Sequence, residues 1–74
     1  MLNVTVRLKD NSLQEFEEPN SIINDLSELR RQGYSGTNLV RELLHSDDWG
    51  APLREVMIAG NLEDGTVVSE SIQC

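Results

Sequence analysis

The sequence predicts a small α+β domain, in which an antiparallel sheet packs against one or two short helices in the order ββααββ. Three observations carry this prediction. Apolar and polar residues alternate near both ends of the chain, apolar residues recur at helical spacing between them, and turn-forming residues divide each alternating segment in two. A chain of 74 residues can bury one core, so residues 1–74 are expected to form one compact domain.

The first alternating segment, residues 3–19, predicts a β-hairpin. A two-residue turn would place the aromatic ring of Phe16 on the polar face of this hairpin. A three-residue loop at positions 9–11, with Asn11 in the left-handed conformation, instead places Phe16 on the same face as Val4. We therefore expect the three-residue loop, with charged side chains of both strands sharing the solvent face.

A first helix is predicted after this hairpin, because Pro19 ends the second strand and apolar residues then recur at helical spacing over positions 22–29. Asn20 or Ser21 is the expected N-cap. Gly33 is expected to end the helix, and the basic residues of its last turn suit the negative end of the helix dipole.

A second, shorter helix is predicted from the apolar stripe at positions 39–44. Thr37 is its expected N-cap, and the helix is expected to end near His45. Two helices are favoured over one bent helix, because Gly33 and Gly36 both interrupt the helical pattern.

The second hairpin is predicted within residues 53–73, where Asp64-Gly65 is a strong turn signal. A two-residue turn keeps the apolar side chains of both strands on one face. A three-residue loop beginning at Glu63 would turn Glu70 inward, so we expect the two-residue turn. A hairpin followed directly by a helix is similar to the start of a β-grasp domain, which is an alternative arrangement of the strands and implies no function.

The charge of the chain is strongly acidic, with thirteen acidic and six basic residues and a net charge of −7. Nucleic-acid affinity comes largely from lysine and arginine side chains that displace counterions from phosphates, so direct binding to nucleic acid is not expected. A carboxylate-rich surface attracts basic ones instead. The expected partner is therefore another protein with a basic surface.

Segment 45–52, HSDDWGAP, contains the only histidine, the only tryptophan and two adjacent aspartates. A zinc site would need three side chains that converge on one ion, whereas neighbouring residues of an extended loop point apart. The spacing of a calcium loop is also missing. We therefore expect no metal site, with His45 ending a helix and Asp47 and Asp48 in a turn.

No catalytic arrangement is indicated either. His45 and Ser46 are sequence neighbours, which rarely meet in the geometry of base and nucleophile, and no G-x-S-x-G context surrounds any serine. Cys74 is the only cysteine, so an internal disulfide is excluded, and a thiolate pair with His45 would need the chain end to reach the second helix. We expect a protein without enzymatic activity and without a cofactor.

The aromatic residues of the two connections are candidate contacts for a partner. Trp49 could fold back over the edge of the core, or it could stand exposed as an interface anchor, and Tyr34 faces the same alternatives. Together with the acidic turns, these positions give the residues expected to bind a partner: Trp49, Asp47, Asp48, Tyr34, Glu63 and Asp64.

Two functions follow as expectations. The first is an acidic interaction module, an inhibitor that docks on the basic nucleic-acid-binding surface of another protein; phage anti-restriction and anti-CRISPR proteins are similar to this chain in size and charge. The second is a structural or assembly subunit that pairs an exposed edge strand with another copy or another protein. A lone cysteine and the absence of a long apolar segment predict a cytoplasmic protein that does not bind membranes.

Overall fold

The computed structural model describes all residues from Met1 to Cys74 and has the predicted order ββααββ. Four strands form one sheet, and every pair of neighbouring strands is antiparallel. Neither helix is long and apolar enough to cross a membrane. The elements are β1 (Leu2–Leu8), β2 (Leu13–Glu18), α1 (Ile22–Arg31), α2 (Gly36–Leu44), β3 (Leu53–Asn61) and β4 (Val67–Gln73).

The strands lie in the order β2-β1-β3-β4, so β2 and β4 form the two edges of the sheet. The first hairpin has the predicted register, with Val4 opposite Phe16. Its loop contains three residues, because the Leu8 amide donates to the Ser12 carbonyl at 3.0 Å, and Asn11 is left-handed with φ of 70°. The preference of asparagine for this conformation explains the choice of loop.

The predicted register of the second hairpin is wrong. The Leu62 amide donates to the Thr66 carbonyl at 2.9 Å, which leaves a three-residue loop whose last residue, Gly65, has φ of 86°. This register places Glu70 opposite Ile58, on the face that carries the helices. The inward carboxylate is tolerated because the Arg30 guanidinium of α1 lies 2.6 Å from it.

The predicted N-cap is confirmed in position for α1 and wrong for α2. Ser21 is the N-cap residue of α1, but it makes no side-chain capping bond, because the first amides of the helix use the carbonyls of Pro19 and Asn20. Thr37 is not the N-cap of α2. That helix begins at Gly36, whose φ of 54° turns the chain out of an extended Ser35.

The ends of the two helices agree with the sequence prediction. Gly33 ends α1 with φ of 97°, and the Tyr34 amide then donates to the Leu29 carbonyl at 3.0 Å, which satisfies a helix-terminal carbonyl. His45 ends α2 in the left-handed conformation with φ of 55°.

The core lies between one face of the sheet and the two helices. No polar or charged residue is buried in it. Even-numbered residues of β1 supply its centre, because alternate side chains of a strand point to the same face. The opposite face of the sheet has no helix on it. The fourteen buried residues are Leu2, Val4, Val6, Leu8, Ile22, Leu26, Leu39, Val40, Leu43, Leu53, Val56, Ile58, Val68 and Ile72.

Candidate protein-interaction surface

The connection between α2 and β3 packs on the edge strand β2. The Trp49 ring is stacked on Phe16, with ring centroids 6.3 Å apart and planes inclined by 13°. The side chain of Gln14 adds a second contact, because its amide donates to the Trp49 carbonyl at 3.2 Å. Segment 45–52 is therefore held on the side of the sheet where β2 lies.

Trp49 serves as a cap of the core in this structure. Its side chain is partly buried and packs against the core cluster, as does its stacking partner Phe16. The indole Nε1–H is shielded from solvent and has no hydrogen-bond acceptor within the protein. Tryptophan normally pairs this donor when it is buried, so the loop holds its ring by apolar contact alone.

Tyr34 packs on a different part of the core. It is partly buried, and it lines a shallow depression at the connection between the helices with Gln32, Ser35 and Asn38. Trp49 lines another depression, beside Thr37 of α2. The structure therefore does not bring the two aromatic rings together as one exposed anchor.

Asp47 and Asp48 are exposed next to the anchored Trp49. The strand on which this loop packs is itself acidic. Glu15 and Glu17 of β2 are exposed on the open face of the sheet, away from Trp49, and the partly buried Glu18 lies at the end of the strand. These five carboxylates are called the acidic edge below. Glu15 and Glu17 are two residues apart on one face, which separates their α-carbons by about 6.8 Å.

Most acidic side chains of the protein have no cationic partner. The three ion pairs use Glu28, Glu55 and Glu70, which leaves ten of the thirteen acidic residues without a cation within 4.0 Å. The acidic edge supplies five of these ten. Arg41 lines the same depression as Asp47 but forms no ion pair with it. The negative charge of this side of the sheet is therefore largely uncompensated.

Glu63 and Asp64 lie in the hairpin between β3 and β4, away from segment 45–52. They line a depression with residues 20–24 at the start of α1. Asp64 also has a local role, because its carboxylate accepts a hydrogen bond from the Thr66 amide at 2.9 Å. This bonding to Thr66 lowers the pKa of Asp64.

Cys74 and His45 lie at opposite ends of α2. Burial raises the pKa of the Cys74 thiol, which lies by Thr37 in the first turn of the helix, whereas His45 ends the helix. A raised pKa reduces the thiolate fraction at neutral pH, so this cysteine is a poorer nucleophile than a free one. His45 is exposed at the end of α2. No three histidine, cysteine or acidic side chains are grouped as metal ligands.

Comparison with known proteins finds no family model, curated protein or solved structure that matches this chain.

The glutamates of β2 are not among the residues that the sequence predicts to bind a partner. Their alternation with Gln14 and Phe16 is visible in the sequence and predicts a solvated face. What it does not reveal is that β2 is an edge strand and that Trp49 anchors the aspartate loop there. Both depend on β3 pairing with β1, across a separation of about fifty residues.

Proposed function

We propose that the protein is a non-enzymatic interaction module that docks its acidic edge on the basic, nucleic-acid-binding surface of another protein and thereby inhibits it. The observation that carries this proposal is the set of five unpaired carboxylates on the edge strand β2 and on the loop that packs against it. We place this activity in the cytoplasm, in keeping with a single cysteine that lies exposed as a free thiol.

The physical basis is competition for the same cations. A surface that binds nucleic acid presents lysine and arginine to a row of phosphates. The acidic edge presents Glu15 and Glu17 side by side on the open face of β2, Glu18 at the end of the strand, and two more carboxylates on the loop that packs against its other face. Guanidinium groups bind carboxylates and phosphates through similar paired hydrogen bonds, so one basic surface can accept either.

Anchoring of the loop supports the same function. Asp47 and Asp48 are next to a tryptophan whose ring is stacked on β2. A loop held in place loses little conformational freedom when it binds, so more of the interaction energy appears as affinity. Long-range attraction between the net charge of −7 and a basic partner also speeds association.

The first experiment is capture from cell extract at low and high salt, with duplex DNA and heparin as competitors. The immobilised proteins are the wild type, the variant Asp47→Lys with Asp48→Lys, and a control with Asp25→Lys and Glu42→Lys. The control makes the same change in net charge at two exposed positions of the helices.

The wild type is expected to capture nucleic-acid-binding proteins, and both high salt and the two polyanions should release them. The aspartate-loop variant should lose this capture while the helix control keeps most of it. Equal loss of capture in both variants would mean that capture depends on net charge and not on the position of the two aspartates. Capture that does not change with salt would contradict electrostatic docking. A further variant, Glu63→Lys, tests whether the β3–β4 hairpin takes part.

A further inference from the structure

We propose that the free edge of β4 is a second interaction surface, and that its partner is β4 of a second copy of this chain, paired antiparallel. This inference goes beyond the docking function and is independent of it, because it uses the opposite edge of the sheet.

The main-chain groups of β4 are available for such pairing. The bonds from Leu62 to Thr66 and from Cys74 to Arg54 show that even-numbered residues of this strand bond to β3. In an antiparallel ladder the intervening residues direct their amides and carbonyls to the other side. The odd-numbered residues of β4 therefore present a free row of donors and acceptors, of which the Ser71 carbonyl already accepts a bond from Arg30 at 3.0 Å.

The charge distribution favours pairing of two copies at β4 over pairing at β2. The side chains of β4 that face solvent on the open side of the sheet are uncharged: Val67, Ser69, Ser71 and Gln73. The only charged residue of the strand is Glu70, which is paired with Arg30. No proline or lysine lies in β4, and the one cation at this edge is Arg30, on the Ser71 carbonyl. The β2 edge, in contrast, carries three glutamates, so two copies would repel each other there.

A register centred on Ser69 satisfies these constraints. Ser69 then pairs with its own copy and Val67 pairs with Ser71, which gives about six main-chain hydrogen bonds across the interface. Glu70 lies opposite Val68 of the other chain rather than opposite another Glu70. Val67, which is 76% exposed, becomes covered. The Ser71 carbonyl has a second lone pair, so it can accept a bond from the other copy as well as from Arg30.

This arrangement also separates the charges of the two copies. It joins two four-stranded sheets into one of eight strands, with the β2 strands at its outer edges. Seven strand spacings put those edges about 33 Å apart. That distance exceeds the screening length of about 8 Å at physiological salt, so the acidic edges barely affect each other.

The test is sedimentation equilibrium of the full chain over a concentration series, with two proline variants. Ser69→Pro removes an amide that faces away from β3, a position where proline is tolerated within an edge strand. Leu13→Pro is the matched control, because it makes the same change at an outward-facing position of β2 and leaves the net charge unchanged. Circular dichroism melting shows that each variant is folded.

We expect the wild type to dimerise and Ser69→Pro to raise the dissociation constant about 30-fold, because two symmetric hydrogen bonds are lost. Leu13→Pro should leave the constant unchanged. Higher salt should tighten the dimer, because it screens the repulsion between two copies of like net charge. The same salt should weaken docking on a basic partner, because it screens the attraction between opposite charges. Failure of docking would thus leave the dimer intact, and the two proposals can fail separately.

A wild type that stays monomeric at every concentration would overturn the proposal, as would equal weakening by both prolines. If Ser69→Pro fails to fold, hydrogen exchange of the wild type decides the question. The Ser69 amide should exchange more slowly as protein concentration rises. Exchange that does not depend on concentration would overturn the pairing.

Discussion

Replacing Trp49 by alanine tests whether the indole ring is part of the core. A tryptophan side chain buries about 150–250 Å² when fully enclosed, and Trp49 is only partly buried. Removal of about 100 Å² at about 25 cal/mol per Å² costs about 2.5 kcal/mol. The stack with Phe16 adds about 1 kcal/mol. The total loss in the free energy of unfolding is therefore about 3.5 kcal/mol.

The assay is urea unfolding followed by far-ultraviolet circular dichroism, which does not depend on the tryptophan itself. A loss of about 3.5 kcal/mol would also lower the melting temperature, followed by the same signal in a thermal scan, by about 20 °C in a domain of this size. Variants Phe16→Ala and the double variant complete a thermodynamic cycle, in which the coupling between the rings should be about 1 kcal/mol. Trp49→Phe is the control, because it keeps an aromatic ring in the same place.

Two results would refute this reasoning. One is a loss below about 0.5 kcal/mol for Trp49→Ala, which is the size expected of a surface substitution. The other is a coupling near zero with Phe16, which would mean that the rings do not contact each other in solution. Lost partner binding with unchanged melting would identify Trp49 as an interface anchor instead.

Two further predictions concern polar interactions of the second hairpin. Arg30→Ala should lower the free energy of unfolding by less than about 1 kcal/mol, because both members of its pair with Glu70 are about two-fifths exposed. A double-mutant cycle with Glu70→Ala should show a coupling energy that falls with added salt. A coupling energy that does not depend on salt would count against a surface ion pair. The pKa of Asp64 lies below its ordinary value of 3.8, because the hydroxyl and then the amide of Thr66 bond to the carboxylate. The stabilising effect of this bonding is fully present at pH values above the ordinary pKa and is lost as pH falls through the lowered pKa. In Asp64→Asn, the free energy of unfolding should therefore fall less steeply with decreasing pH in the acid range. Urea unfolding of the wild type and Asp64→Asn at a series of acid pH values measures this dependence. The same pH dependence in both proteins would contradict the role of Asp64.

The two hairpins show what local sequence can and cannot determine. In the first, the wrong register would put Phe16 on the solvent face, so the apolar pattern alone predicts the right one. In the second, the apolar pattern favours the wrong register, because the inward position of Glu70 is stabilised by Arg30, forty residues earlier in the chain. A local signal was present in both turns: Asp10 and Asp64 each precede a serine or threonine by two residues and accept a bond from its amide.

The candidate surface was predictable only in part. The acidic loop with Asp47 and Asp48 is visible in the sequence, and so is the choice between core and interface for Trp49. The neighbourhood of the loop is not visible, since it depends on which strand lies at the edge of the sheet. The strand order follows from the pairing of β1 with β3, which no residue pattern near the loop encodes.

The unequal charge of the two sheet edges also limits how far the protein can polymerise. A sheet with two receptive edges could add copies without end and form fibres. Here Glu15, Glu17 and Glu18 line one edge, and each further strand laid against it would bring more carboxylates into close contact. If copies pair through β4 as proposed, we therefore expect growth to stop after one addition and fibres not to form.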